Sequence, residues 1–271
     1  MVRFLPRRPW RTPGLALLVM LATVSGSLPG LAAEAKVAVA ANFTEAVKEI
    51  GALYEKATGN KVVFTFGATG QLYTQITQDA PFDVFLAADQ KRPKKAVDEG
   101  YAVADTLFTY ATGKLVLFSK NKDLVQGEDT LKQAKFEKVA IANPKTAPYG
   151  AAAVEVMKGL GVYEALAPKI VQGNSISQTF QFVGTGTAEV GFIALSQVVN
   201  KDVGSRWIVP EKLYATIAQD AVLLKRGANN EAAKAFVTFL NGPEARAVKE
   251  KYGYGVGITT GAVEKKVAPA Q

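Results

Sequence analysis

From residue 36 onward the chain alternates short apolar runs with amphipathic stretches. Residues 36 to 40 (KVAVA) predict a buried strand, and residues 43 to 57 place Val47, Ile50, Tyr54 and Ala57 on one helical face before Thr58-Gly59 stops the helix. Residues 61 to 66 (KVVFTF) predict a second strand, 67 to 70 a turn, 71 to 78 a helix, and 82 to 87 (FDVFLA) a third strand. Asp89 then opens a helix that Gly100 closes. Such a βαβαβ series demands a parallel sheet with helical crossovers.

Two β-rich runs, 108 to 119 and 221 to 225, interrupt that order. Between them the pattern repeats, with strands at 139 to 142, near Ile170-Val171 and at 190 to 194, and helices after Tyr149 and after Ser175. Helices at 230 to 240 and 243 to 252, separated by Gly242-Pro243, end the chain's regular part. The chain is thus expected to leave one α/β unit, build a second and return. Lobe one is expected from 36 to 114 together with 222 to 262, and lobe two from 115 to 221. Both are mainly parallel sheets flanked by helices, and a ligand cleft is expected between them at the carboxyl ends of the strands.

Composition narrows the chemistry. The 271 residues include no cysteine and no histidine, which excludes disulfides, thiolate nucleophiles, imidazole bases and metal sites built on those ligands. The first 35 residues read as a secretory signal: Arg3, Arg7, Arg8 and Arg11 precede an apolar run too short to span a bilayer, and Ala33-Glu34-Ala35 has the small-x-small form of a cleavage site. The mature chain is expected to start at Lys36, with a cut after Ala33 as the alternative. Removing four arginines and one glutamate brings the formal charge from +8 to about +5, with no run that pairs basic residues with aromatics, so nucleic acid is not an expected partner. A soluble, monomeric periplasmic protein is expected, and the absence of cysteine rules out a lipid anchor through that residue.

Four predicted strands run into short loops that open helices, and each loop is small, polar and uncharged: 41 to 44 (ANFT), 67 to 70 (GATG), 147 to 150 (APYG) and 173 to 176 (GNSI). The first N–H groups of a helix lack internal partners and carry positive potential, so four such ends around one cleft would form an anion site. Each also has a plain structural reading. Asn42 with Glu45, and Ser175 with Gln178, fit capping-box spacing. Gly67 and Gly70 can be turn glycines, and Tyr149 a core aromatic.

Over residues 36 to 256 the chain resembles the periplasmic molybdate-binding proteins of the type II solute-binding superfamily. The segments that carry the likeness are VAVAANFTEAV (37 to 47), FTFGATGQLYTQI (64 to 76), APFDVFLAADQKRP (80 to 93), FTYATGKLVLFS (108 to 119), ANPKTAPYG (142 to 150), GNSISQ (173 to 178) and GTAEVGFIALSQV (186 to 198). The resemblance implies a two-lobed type II fold, capture of molybdate or tungstate with molybdenum held only as its oxyanion, delivery to the permease subunits of an ABC importer, and no cofactor. By position it puts ligand contacts on Ala41, Asn42, Thr69, Tyr149 and the backbone N–H of Ile176. Ala41 stands where relatives often carry a hydroxyl, and 191 to 196 lacks a tyrosine that some members use there, a contact for which Tyr149 is expected to substitute. Sulfate or thiosulfate is the alternative ligand. Enzymatic use of Asp83, Asp89 or Glu189 is not expected, because Asp83 and Asp89 sit where a sheet edge and a helix cap would use them and, without histidine or cysteine, the choices of general base are few. A ferric ligand would want more tyrosine and carboxylate than the loops offer.

Overall fold

The computed structural model describes Met1 and residues 33 to 255, so the expected signal segment lies, except for Met1 and its last three residues, outside the described part. Among the described residues, ten strands fall into two five-stranded sheets. The first holds β1 (Glu34–Ala40), β2 (Lys61–Gly67), β3 (Val84–Leu86), β4 (Phe108–Gly113) and β10 (Ile217–Leu223), in the order β2-β1-β3-β10-β4. The second holds β5 (Leu115–Ser119), β6 (Val139–Ala142), β7 (Ile170–Gly173), β8 (Val190–Ala194) and β9 (Ser205–Ile208), in the order β7-β6-β8-β5-β9. β1 pairs in parallel with β2 and β3, and β6 with β7 and β8, whereas β10 and β5 run antiparallel to both of their neighbours. This is the expected two-lobed α/β architecture, with one antiparallel strand inserted in each sheet.

Helices cover both faces of the first sheet, which is why β1 is apolar on successive residues rather than on alternate ones. Val37 and Val39 pack with residues of α1 (Thr44–Thr58), α8 (Glu231–Leu240) and α9 (Pro243–Lys251), while Ala38 packs with Leu72, Tyr73 and Phe85 on the side of α2 (Thr69–Thr77) and α3 (Lys91–Asp98). Gly59 ends α1 in the left-handed region at φ 73°, a conformation that costs glycine little, and its N–H closes onto Glu55 O. Val47, Ile50 and Tyr54 are buried as expected, but Ala57 is exposed on the last turn. The second sheet carries α5 (Pro148–Gly159) and α7 (Ile176–Thr185), with the short α4 (Asp129–Gln133) and α6 (Tyr163–Leu166) at its margin.

Several boundaries differ from expectation, each for a local reason. The run from 108 to 119 is two strands in two different sheets, broken at Lys114. α2 begins at Thr69, so Gly70 lies in its first turn and not in a preceding loop. β9 has no counterpart among the expected elements; it is a short edge strand with alternately half-buried and exposed residues and no apolar run. The return to the first sheet starts at Ile217 rather than near residue 221, because Gln219 and Asp220 interrupt the apolar pattern yet are both buried inside β10.

Candidate functional site

Four helix starts converge. One cavity is lined by Ala40, Ala41 and Asn42 after β1, by Gly67, Ala68 and Thr69 after β2, by Ala147, Pro148 and Tyr149 after β6, by Ile176 after β7, and by Ala88 after β3. All five residues expected at the site, Ala41, Asn42, Thr69, Tyr149 and Ile176, stand on its wall, and no lining residue is charged. Its free space is at most about 200 Å³, below the 300 to 1,000 Å³ typical of pockets for drug-sized ligands. Only a compact ligand fits.

Both lobes contribute to this wall and meet around it. Gly70 N–H donates to Thr146 O at 2.8 Å, Arg92 Nη2 to Lys145 O at 2.9 Å, Ser196 Oγ to Asn42 O at 2.8 Å and Ser177 Oγ to Ala41 O at 3.3 Å. Ala40, Ala41, Ala68 and Ala88 of the first lobe share one apolar cluster with Leu115, Ala147, Tyr149 and Ile176. The five expected residues are consequently between 1% and 5% exposed.

Local chemistry decides what each can offer. The backbone N–H groups of Asn42, Thr69, Tyr149 and Ile176 lie in first helical turns, where no partner exists within the helix. Thr69 Oγ1 accepts from Ala88 N–H at 3.0 Å, which leaves its own proton to donate. The Tyr149 oxygen accepts from Gln219 Nε2 at 3.2 Å, with the same consequence. Burial holds the Tyr149 phenol well above its ordinary pKa, so that proton stays in place across neutral pH.

Asn42 behaves otherwise. Its expected partnership with Glu45 is absent: α1 starts at Thr44 with no side-chain cap. Both hydrogens of Asn42 Nδ2 are taken, one by Gln219 Oε1 at 2.8 Å and one by Tyr254 Oη at 3.1 Å. Asn42 can thus present its backbone N–H, but its side-chain amide is not a free donor. Ser175 does cap α7, accepting from Gln178 N–H, while Gln178 Oε1 reaches back to Asn174 N–H rather than to Ser175. Phe192 and Ala194, in the segment that lacks a tyrosine, are wholly buried in β8.

Gln219, Tyr110 and Tyr254 are absent from the residues that the sequence points to. Gln219 is fully buried and joins Asn42, Tyr110 and Tyr149, its contacts lying 177, 109 and 70 residues apart in sequence. No local pattern marks such a residue. The candidate catalytic acids are occupied: Asp83 accepts from Lys36 N–H and Asn230, Asp89 from Arg92 N–H and its guanidinium, and Glu189 from Lys138 N–H. None of them lines the cavity.

Comparison with known proteins places these features in a family. Residues 35–255 match the family of bacterial extracellular solute-binding proteins. The chain is 59% identical over 235 residues to the molybdate-binding protein ModA of Rhodobacter capsulatus, covering 86% of this chain and 93% of that protein. It is 53% identical over 229 residues to ModA of Azotobacter vinelandii, covering 83% and 91%. The solved structure of the periplasmic molybdate-binding protein of Azotobacter vinelandii superposes with a TM-score of 0.80 at 36% identity, covering 83% of this chain and all of that one.

Proposed function

The chain belongs to the bacterial extracellular solute-binding proteins, and from that premise we propose that it captures molybdate, and tungstate, outside the cytoplasm and hands it to the permease subunits of an ABC importer. The observation that carries this reading is the small cavity walled by four helix starts, Thr69 and Tyr149 among their residues, with no charged residue. Molybdate is proton-free near neutral pH and offers only acceptors, so a wall of donors complements it. Hydrogen bonds to a charged group contribute roughly 1.5 to 3 kcal/mol each, and a handful of them accounts for tight binding once the losses of association are subtracted.

We assign the ligand contacts to the backbone N–H groups at Ala41, Asn42 and Ile176 and to the hydroxyls of Thr69 and Tyr149. The two crossings between sheets, at Lys114 and between β9 and β10, form the hinge. The mature protein works as a free monomer, without cofactor, catalytic step or nucleic acid. Of the two expected cut sites, after Ala35 and after Ala33, the second keeps β1 whole, since Glu34 and Ala35 belong to that strand and Ala35 is wholly buried.

Sulfate is a dianion of the same shape, so discrimination has to come from size, the smaller ion stretching the hydrogen bonds of a site set for the larger. Protonated phosphate is refused for a different reason: its proton would meet donors only. Titration calorimetry of the mature protein with molybdate, tungstate, sulfate and phosphate tests this, with submicromolar binding expected for the first two. Equal affinity for sulfate would remove the size argument and make this a general oxyanion carrier.

A further inference from the structure

The direction in which Tyr149 points its proton is decided by buried groups just behind the cavity wall. Asn42 O is a carbonyl and can only accept; the Tyr254 hydroxyl lies 2.6 Å from it and the Ser196 hydroxyl 2.8 Å. Tyr254 has one proton, and its short approach to a carbonyl oxygen requires that proton on Asn42 O rather than on Ser196 Oγ, 3.0 Å away. Its oxygen then has to accept from the Asn42 side chain at 3.1 Å, which makes the atom there Nδ2. The other hydrogen of Nδ2 faces Gln219 at 2.8 Å, so that end of Gln219 is Oε1, where the Tyr110 hydroxyl also arrives at 3.0 Å. The end that remains is Nε2, and it donates to Tyr149. Reversing any amide would leave two acceptors, or two N–H groups, face to face.

We propose that Tyr254, Asn42 and Gln219 form a polarity relay that fixes the Tyr149 hydroxyl as a donor into the cavity, and that Gln219 is the positioning residue through which the site prefers proton-free oxyanions. This deepens the molybdate reading and rests on it. Every member is at most 5% exposed, so bulk water cannot reset the orientation. The relay also spans the lobes: Asn42 and Gln219 belong to the first sheet's side and Tyr149 to the second's. A tyrosine free to turn would offer a lone pair as readily as a proton, and a lone pair is what a protonated oxyanion needs.

Gln219→Glu replaces the donor facing Tyr149 by an acceptor and so turns the proton away from the cavity. Molybdate dissociation constants are measured by calorimetry for the wild type, Tyr149→Phe, Gln219→Glu and the double variant. Tyr149→Phe is expected to weaken the wild type by about tenfold or more, Gln219→Glu by a similar factor, and the second substitution to add less than about twofold to the first. If Tyr149→Phe costs as much in the Gln219→Glu background as in the wild type, the relay is wrong. Because a buried carboxylate can itself unfold the chain, Gln219→Met provides a second arm. It removes the donor without adding charge and is expected to narrow the preference for molybdate over phosphate by about threefold or more, with the fold verified by thermal melting. An unchanged preference overturns the relay. Tyr149→Phe binding molybdate like the wild type removes Tyr149 and the relay together while leaving the molybdate reading in place, whereas a wild type that binds no molybdate overturns both.

Discussion

The two sheets have the same strand order and differ in one strand. In β2-β1-β3-β10-β4 and in β7-β6-β8-β5-β9, two adjacent parallel strands, β1 with β2 and β6 with β7, end in the loops that reach the cavity. Next to the third parallel strand each sheet has an antiparallel one. In the second sheet it is β5, whose Leu115, Val116, Leu117 and Phe118 are all buried and apolar. In the first it is β10, which buries Gln219 and Asp220, both hydrogen-bonded. Topology therefore places the helix starts in both halves, while the antiparallel strand whose buried amide reaches across the cleft, from Gln219 to Tyr149, belongs to the first; the second half crosses with the Ser177 and Ser196 hydroxyls that follow its parallel strands. In its antiparallel strand, one half is packed and the other is wired.

That contrast can be broken most severely at Gly113, the end of β4 beside the crossing. A Cβ there would lie 2.0 Å from Tyr149 Oη and 2.5 Å from Gln219 Nε2, so Gly113→Ala has to push the two apart. We expect molybdate affinity to fall by about a hundredfold, as expected when one or two hydrogen bonds to an anion are lost, with a stability loss of roughly 1 to 3 kcal/mol from overpacking. Calorimetry and thermal melting of the same sample separate the two effects.

A second test concerns another buried polar group of the wired half. Lys249 is 2% exposed and donates to Leu240 O at 3.0 Å, and burial lowers its pKa to about 8. The unfolded chain holds this proton up to a higher pH than the folded one, so the folded state is penalised below pH 8 and the penalty lifts as pH rises toward the unfolded value. Stability should rise by on the order of 1 to 2 kcal/mol between pH 7.5 and 9.5 from this residue. Urea midpoints should show that rise in the wild type and lose it in Lys249→Met.

Thr69→Ala tests the first half's own donor. It deletes the hydroxyl and leaves Ala88 N–H unpaired, so affinity should drop by about tenfold and stability by about 1 kcal/mol. An affinity equal to the wild type would take Thr69 out of the site. The smallest effect is expected at Thr146, where the lobes touch. Its hydroxyl is buried without a partner among the described residues, so Thr146→Val should stabilise the protein by about 1 kcal/mol or less, read as a higher melting temperature.

Much of this was legible in the chain itself, and the gaps follow a rule. Strands buried on both faces, such as β1, β6 and β8, announce themselves as continuous apolar runs, and the neutral loops after them mark the helix starts. Resemblance then put Asn42, Thr69 and Tyr149 at the site by position. What could not be read is the use of a buried polar residue by distant partners. Asn42 followed by Glu45 carries the local signature of a cap, yet tertiary contacts 177 and 212 residues away claim its amide. Gln219 and Asp220 look like a break in a strand because their partners are unknown until the sheet is closed. β9 is missed for the opposite reason, since an edge strand that buries little needs little apolar sequence.

The uncharged wall has a consequence for the medium in which the protein works. A site that relied on lysine or arginine would weaken as added electrolyte screens its charges, over distances of about 8 Å at physiological ionic strength. On the proposed reading, capture rests instead on short contacts with buried, fixed peptide dipoles and hydroxyls, whose strength a diffuse ionic atmosphere changes little. Such a scavenger should keep its grip in brine and in fresh water alike.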